Sequence, residues 1–364
     1  MLRFVASTAL IFFVAVGPAL ADDLQPVLSA ALQGTTVPAV GVLVIRDGKV
    51  DAMAVRGLRE IGHPDPVQPD DLWQIGSNTK PITTALILRL VEQHRLSLDA
   101  PLSTTLPQLA ANARPEYRAV TLRELLQHMS GLPENSSGIA RVFAASFHDT
   151  RPVQEQRLAY LATALNDPPV APPGKEPHYS NTGYILAGAI AEQATGVSYE
   201  ALMQREILAP LHMTDARFGL PPDKHGHLSG RAATVEEEVP PIFDPAGGVT
   251  VSLADWAKFC IDQLSGAKGQ GRLLTADSYR LMQSLNPATG NGFGWGFDAT
   301  FMDRQGPMLS HAGSDGAWYS MVVLFPAGGN GLLVNVNAGE DMGGVKAFKS
   351  VLKALLPSLA PPAK

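Results

Sequence analysis

Apolar, β-branched runs lie toward the two ends of this chain, and apolar residues at helical spacing fill the middle. Val40 to Ile45 and Val50 to Val55 flank Asp47-Gly48, and two such runs around Asp-Gly predict a hairpin. Toward the other end, Phe293 to Phe301, Met308 to His311, Trp318 to Phe325 and Leu332 to Val336 read as strands, with Pro326 to Asn330 as a turn. From Asn78 onward, Ile82, Ala85, Leu86, Leu88, Leu90 and Val91 keep the spacing of a largely buried helix. Thr121-x-x-Glu124 and Ser252-x-x-Asp255 predict capping boxes, the second opening a helix through Leu264. Val153 to Leu165, Asn181 to Thr195 and Tyr199 to Leu208 continue the helical pattern; Asp22 to Leu32 and Gly343 to Leu356 predict terminal helices. Ser136 to Arg151 and Asp223 to Pro240 read as loops, and Gly266 to Gly271 as a linker whose glycines follow no strand and so cradle no phosphate.

Strands at both ends with helices between them predict an α+β fold. The terminal segments, about 22–99 and 245–364, share one antiparallel sheet flanked by helices, and a helical lobe of about 100–244 is inserted into it. The site then lies in the cleft between the lobes.

Composition narrows the function classes. A chain of 364 residues with 45% hydrophobic content buries a large core, and a formal charge of -6 argues against nucleic acid as a partner. Residues 1–21 carry Arg3, the apolar stretch Phe4 to Val16 and Ala19-Leu20-Ala21 before Asp22-Asp23, the layout of a cleaved secretory signal. The expected destination is the periplasm or the exterior, without membrane attachment after cleavage. Cys260 is the one cysteine, so no intrachain disulfide forms, and a buried packing thiol is expected. His225-Gly226-His227 sits in a loop and reads as surface. His94, His128, His148, His178 and His212 lack ligand spacing and read as packing or solvent-facing. No metal and no cofactor are expected.

Ser77 and Lys80 stand three residues apart at a helix start, and Pro81 supports that boundary because first-turn N–H groups have no intrahelical partner. This spacing puts both side chains on one face. The helix N-terminus favours a developing alkoxide and disfavours a protonated lysine, so a neutral Lys80 can take the proton of Ser77. Ser-x-x-Lys alone is a weak signal. Tyr179-Ser180-Asn181 precedes an apolar helix. A phenol near a cation can share acid and base work, and an amide can hold Lys80 or a substrate carbonyl; the same residues also suit a plain helix cap, with Ser180 or Asn181 as N-cap. His311-Ala312-Gly313-Ser314 ends a strand, where a backbone N–H can complete an oxyanion hole with that of Ser77, or where glycine simply serves a connecting loop. Ala312 to Gly316 is one substitution from an α/β-hydrolase elbow, but a strand follows it and no later histidine exists, so that alternative fails.

Together the three groups resemble the serine β-lactamase and penicillin-binding superfamily, in particular the class C β-lactamase-like branch that includes D-aminopeptidases, DD-carboxypeptidases and esterases. Ser77-Asn78-Thr79-Lys80 looks like its nucleophile motif, Tyr179-Ser180-Asn181 like Y-x-N, and His311-Ala312-Gly313 stands where K-T-G is usual. Leu125 to Pro133, Ala246-Gly247-Gly248 and Phe293 to Gly296 add to the likeness. The resemblance implies a β-lactamase/transpeptidase-like fold and a covalent acyl-enzyme. In it Ser77 is the nucleophile, Lys80 and Tyr179 are the base pair, and Asn181 positions Lys80 or substrate. The N–H groups of Ser77 and Ser314 bind the oxyanion. Whether lysine or tyrosine is the base stays open. His311 departs from lysine: mostly neutral at pH 7, it is poorly suited to a substrate carboxylate, and Ala312 lacks the threonine hydroxyl. An exported hydrolase of an ester or small D-amino-acid amide or peptide is therefore preferred. A class C-type β-lactamase or DD-carboxypeptidase, and a non-turnover penicillin-binding sensor or scaffold, are the alternatives. The expected partner is a small-molecule or peptide substrate, and the oligomeric state is open.

Overall fold

The hairpin around Asp47-Gly48 forms one edge of a six-stranded antiparallel sheet. The structure, a computed structural model, describes residues 24–219, 226–266, 268–286, 292–301 and 304–360. The predicted leader and His225 lie outside them. The strands are β1 (Ala39–Arg46), β2 (Lys49–Gly57), β3 (Gly296–Phe301), β4 (Arg304–Ser314), β5 (Tyr319–Phe325) and β6 (Asn330–Val336). They lie in the order β2-β1-β6-β5-β4-β3, so the first strand of the chain pairs with the last, Val42 opposite Val334.

β1 is buried from Ala39 through Ile45 because both faces of the sheet are covered. Val40, Val42 and Val44 share a core with Leu28 of the helix Gln25–Leu32 and with Phe348 and Val351 of the helix Gly344–Leu359. Ala39, Leu43 and Ile45 share another with Trp73, Leu253 and Trp256. Two-sided burial turns the usual alternation into an unbroken apolar run.

Between β2 and β3 come the buried helix α1 (Thr79–Glu92), then α2 (Ile139–Ser146) and α3 (Asn181–Thr195). α3 ends at Gly196 in the left-handed conformation, as its sequence predicts. The Thr121–Glu124 capping box is present, each side chain bonded to the other's backbone.

Four expectations are corrected. Ser136 to Arg151 is not loop throughout: α2 lies inside it, with Ile139, Val142 and Phe143 at helical spacing in a segment only eight residues long. Asp255 does not close a capping box on Ser252. The Ser252 hydroxyl accepts the Asp255 N–H at 3.1 Å, but the Asp255 carboxylate takes the N–H of Asp215, and Asp215 answers to the N–H of Ser252. The central segment also holds short strands: Arg217–Phe218 joins Val249–Val251 and Trp73–Gln74 in a small sheet. β4 runs on through Ala312 and Gly313 to Ser314, where pairing with β5 holds residues that carry no strand signal of their own.

Candidate active site

Gly76 to Asn78 form a tight 3-10 turn that feeds directly into α1, so Ser77 stands at the helix mouth with Lys80 one turn along. The turn is fixed from several sides. The Asn78 amide donates to the Ser320 hydroxyl of β5 at 2.7 Å and to the Ile75 carbonyl at 3.1 Å, and Ser320 donates to that same carbonyl. Gln74 accepts the Gly76 N–H and donates to the Gly247 carbonyl. Gly76 has φ of 50°, and a Cβ there would stand 2.6 Å from the Ser314 nitrogen. A Cβ on Gly313 would overlap the Ile75 carbonyl. The nucleophile turn thus lies against the end of β4 at a distance only two glycines permit.

Lys80 is fully buried. Its Nζ lies 3.0 Å from Ser77 Oγ, 2.7 Å from Asn181 Oδ1 and 2.8 Å from the Ala246 carbonyl. Burial holds its pKa well below the ordinary lysine value, with the charge of Glu134 pulling weakly the other way. A neutral amine has two hydrogens and one lone pair. Asn181 and Ala246 are pure acceptors here, so they take the two hydrogens and leave the lone pair for Ser77. Asn181 presents its oxygen because its own amide nitrogen donates to Asn135 Oδ1 at 3.1 Å.

The Tyr179 hydroxyl donates to Ser77 Oγ at 2.6 Å. Tyr179 keeps 40% of its surface open, yet loss of water around it and the charge of Glu134 raise its pKa above the ordinary phenol value, despite the Ser77 bond. At neutral pH it is a donor. Lys80 Nζ lies 4.7 Å from the center of its ring. The question of the helix cap is resolved: Ser180 is the N-cap, accepting the Gly183 N–H at 3.0 Å, so the Asn181 amide remains for Lys80.

Two open cavities border the hydrogen-bonded Ser77–Tyr179 pair, one on each residue. One, about 380 Å³, is bordered by Tyr179, His128, Trp295, Ser310 and His311. The other, about 680 Å³, is bordered by Ser77, Asn181 and Ser314 and walled by α2 and Phe243. His311 is held neutral by burial and by Lys80, against one bond to the Ala312 carbonyl. No lysine or arginine lines either cavity among the described residues.

All seven residues read as site from sequence, Ser77, Lys80, Tyr179, Asn181, His311, Gly313 and Ser314, meet around this cleft. One histidine reading changes, that of His227. His128 packs, as expected: its Nδ1 accepts the Ser180 N–H at 3.1 Å and its ring lies 4.6 Å from that of Tyr179. It is neutral, pushed down to about 3 by burial and then by Lys80 and His311. His148 lines the larger cavity. His227 is buried, not on the surface: Nδ1–H donates to the Asn337 carbonyl and Nε2 accepts the Ile61 N–H. Sequence reading also missed Asn135 and the Ala246 carbonyl, and only the Ala246-Gly247-Gly248 likeness hinted at the second.

Several known proteins are similar to this chain along most of its length. The chain is 27% identical over 342 residues to penicillin-binding protein 4 of Amycolatopsis lactamdurans, covering 89% of this chain and 86% of that protein. It is 25% identical over 330 residues to protein flp of Staphylococcus aureus strain N315, covering 88% of this chain but only 64% of the relative, less than two thirds of its length. Its structure superposes on the octameric penicillin-binding protein homologue from Pyrococcus abyssi with a TM-score of 0.73 and 27% identity, covering 92% of this chain and 77% of that one. For SurE the TM-score is 0.76 with 26% identity, covering 94% and 76%. The family model described as Beta-lactamase matches residues 24–355, and the chain belongs to that family, within the serine β-lactamase and penicillin-binding superfamily.

Proposed function

We propose that the protein is an exported serine hydrolase that acts through an acyl-enzyme at Ser77 on an ester or a small D-amino-acid amide or peptide. The observation that carries this is the contact set of Lys80: two pure acceptors at 2.7 and 2.8 Å can take both hydrogens of a neutral amine, which leaves its lone pair for Ser77 Oγ at 3.0 Å. Ser77 Oγ attacks the substrate carbonyl carbon while its proton passes to Lys80 Nζ. The carbonyl oxygen becomes an oxyanion held by the N–H groups of Ser77 and Ser314. The leaving-group oxygen or nitrogen takes the Tyr179 proton as its bond to carbon breaks, and Lys80 re-protonates the phenolate. Water then adds to the acyl-enzyme by the same route in reverse, releasing the acid.

A leaving group that takes its proton from Tyr179 must occupy the cavity Tyr179 borders, between His128 and His311. Both are neutral, which favours an uncharged alcohol or amine there over a carboxylate. This is the ground for preferring esters and small amides to β-lactams or DD-peptides. The test is steady-state turnover of a p-nitrophenyl ester, a D-alanyl amide and nitrocefin by the purified protein. The reading expects the first two to exceed nitrocefin in kcat/KM, and rapid nitrocefin turnover with slow ester turnover overturns it. Acylation that stops after one equivalent supports the sensor alternative instead.

A further inference from the structure

We infer that the acyl group this protein prefers is an uncharged aliphatic or aromatic chain of about four to six carbons beyond the carbonyl, seated along α2; this rests on the acyl-enzyme reading above. If the leaving group lies on the Tyr179 side, the acyl group must point away from it, into the cavity bordered by Ser77, Asn181 and Ser314. That cavity, about 680 Å³, is of a size that takes a drug-like molecule, far more than an acetyl or alanyl group fills.

Part of its lining is apolar: Ile139 and Phe143 of α2, together with Val239 and Phe243. The rings of Phe143 and Phe243 meet edge to face with centers 4.9 Å apart, and Phe243 is backed by the buried Tyr160. Four residues along a helix advance about 6 Å, so the wall from Ile139 to Phe143 matches a run of about five methylenes. The charged groups that line the cavity are carboxylates, Glu236 and Asp315, with no lysine or arginine among the described lining residues. An anionic acyl chain therefore meets two carboxyl side chains and no lysine or arginine, with only the His148 imidazole and neutral polar groups to answer it, and a neutral chain finds apolar cover.

Full burial of a methylene is worth about fourfold in binding, and a chain covered on about half its surface gains about twofold per methylene. From p-nitrophenyl acetate to hexanoate, kcat/KM should rise about 16-fold. Phe143→Ala should cut that hexanoate-to-acetate ratio severalfold. Because Phe143 also packs on Phe243, a second variant guards against loss of fold: Ala140 is solvent-exposed yet lines the cavity, and Ala140→Glu should lower the ratio as well. A succinyl half-ester should react more slowly than the hexanoyl ester. A flat or falling chain-length series, or a succinyl ester as good as hexanoyl, overturns the inference.

Calorimetric binding of hexanamide to Ser77→Ala separates this from failure of the acyl-enzyme reading, since it needs no chemistry. Binding that weakens at least fivefold in Ser77→Ala carrying Ala140→Glu supports the apolar site even if no ester is turned over. Absence of binding, or binding indifferent to Ala140→Glu, overturns it.

Discussion

Tyr179→Phe separates the two proton-transfer roles. The substitution removes one oxygen, the donor to Ser77 Oγ at 2.6 Å, and keeps the ring that lies 4.6 Å from His128 and beneath Lys80. The fold and the Lys80 environment should persist, so the change falls on chemistry. The phenol is raised above its ordinary range and the amine is lowered, so at neutral pH Lys80 can accept a proton and Tyr179 can give one. Losing a positioned general acid costs about 10²- to 10⁴-fold, or about 3 to 5 kcal/mol of barrier. That loss applies where the leaving group needs a proton. An alkylamine or alkoxide needs one; p-nitrophenolate departs without it at neutral pH. Tyr179→Phe should therefore lower kcat/KM, which reports acylation alone, by about 10²-fold or more for a D-alanyl amide and by less than about tenfold for a p-nitrophenyl ester. Parallel kinetics on both substrates, with kcat resolved from KM, measure the difference. An equal loss on both would refute the assignment, because it would put Tyr179 in the activation of Ser77 rather than in leaving-group departure.

Other predictions follow from the same geometry. Because burial lowers the folded-state pKa of Lys80, the unfolded chain binds the extra proton up to about pH 10.4, and stability rises with pH across that window. Melting curves at several pH values should show the wild type gaining on Lys80→Met as pH rises, by up to about 1.4 kcal/mol per unit, and a pH-independent gap would contradict a neutral lysine. Gly76→Ala forces a Cβ against the Ser314 nitrogen at φ of 50°, so urea unfolding should show a loss of about 1–3 kcal/mol and ester turnover should fall at least tenfold. His311→Lys supplies a cation for a substrate carboxylate, worth about 1.5–3 kcal/mol, so nitrocefin kcat/KM should rise about tenfold or more relative to a neutral ester; no change would show that His311 does not set this preference.

Much of this site was legible because it is local. Ser77 and Lys80 meet through helix spacing, and the N-cap hydroxyl of Ser180 frees Asn181 within one turn. The fold class was legible because the apolar runs at the two ends need one another: β1 has no partner for its second edge until β6 arrives. What sequence could not give is carried by single long-range contacts. Asn135 orients Asn181 from 46 residues away, and Ala246 contributes a carbonyl that every residue type possesses. His128 and His227 read as bystanders since a histidine's role is set by what faces each ring nitrogen. α2 escaped although Ile139, Val142 and Phe143 keep helical spacing, because it is only eight residues long and lies between the polar stretches Glu134 to Gly138 and His148 to Arg151.

The most direct test of the account is rapid-quench intact-mass spectrometry of the protein mixed with p-nitrophenyl hexanoate, followed by peptide mapping, in the wild type and in Ser77→Ala. The account predicts one added hexanoyl mass, carried by the peptide that contains Ser77, decaying at the rate of turnover and absent from Ser77→Ala. An adduct on another residue, or turnover that survives in Ser77→Ala, would contradict it.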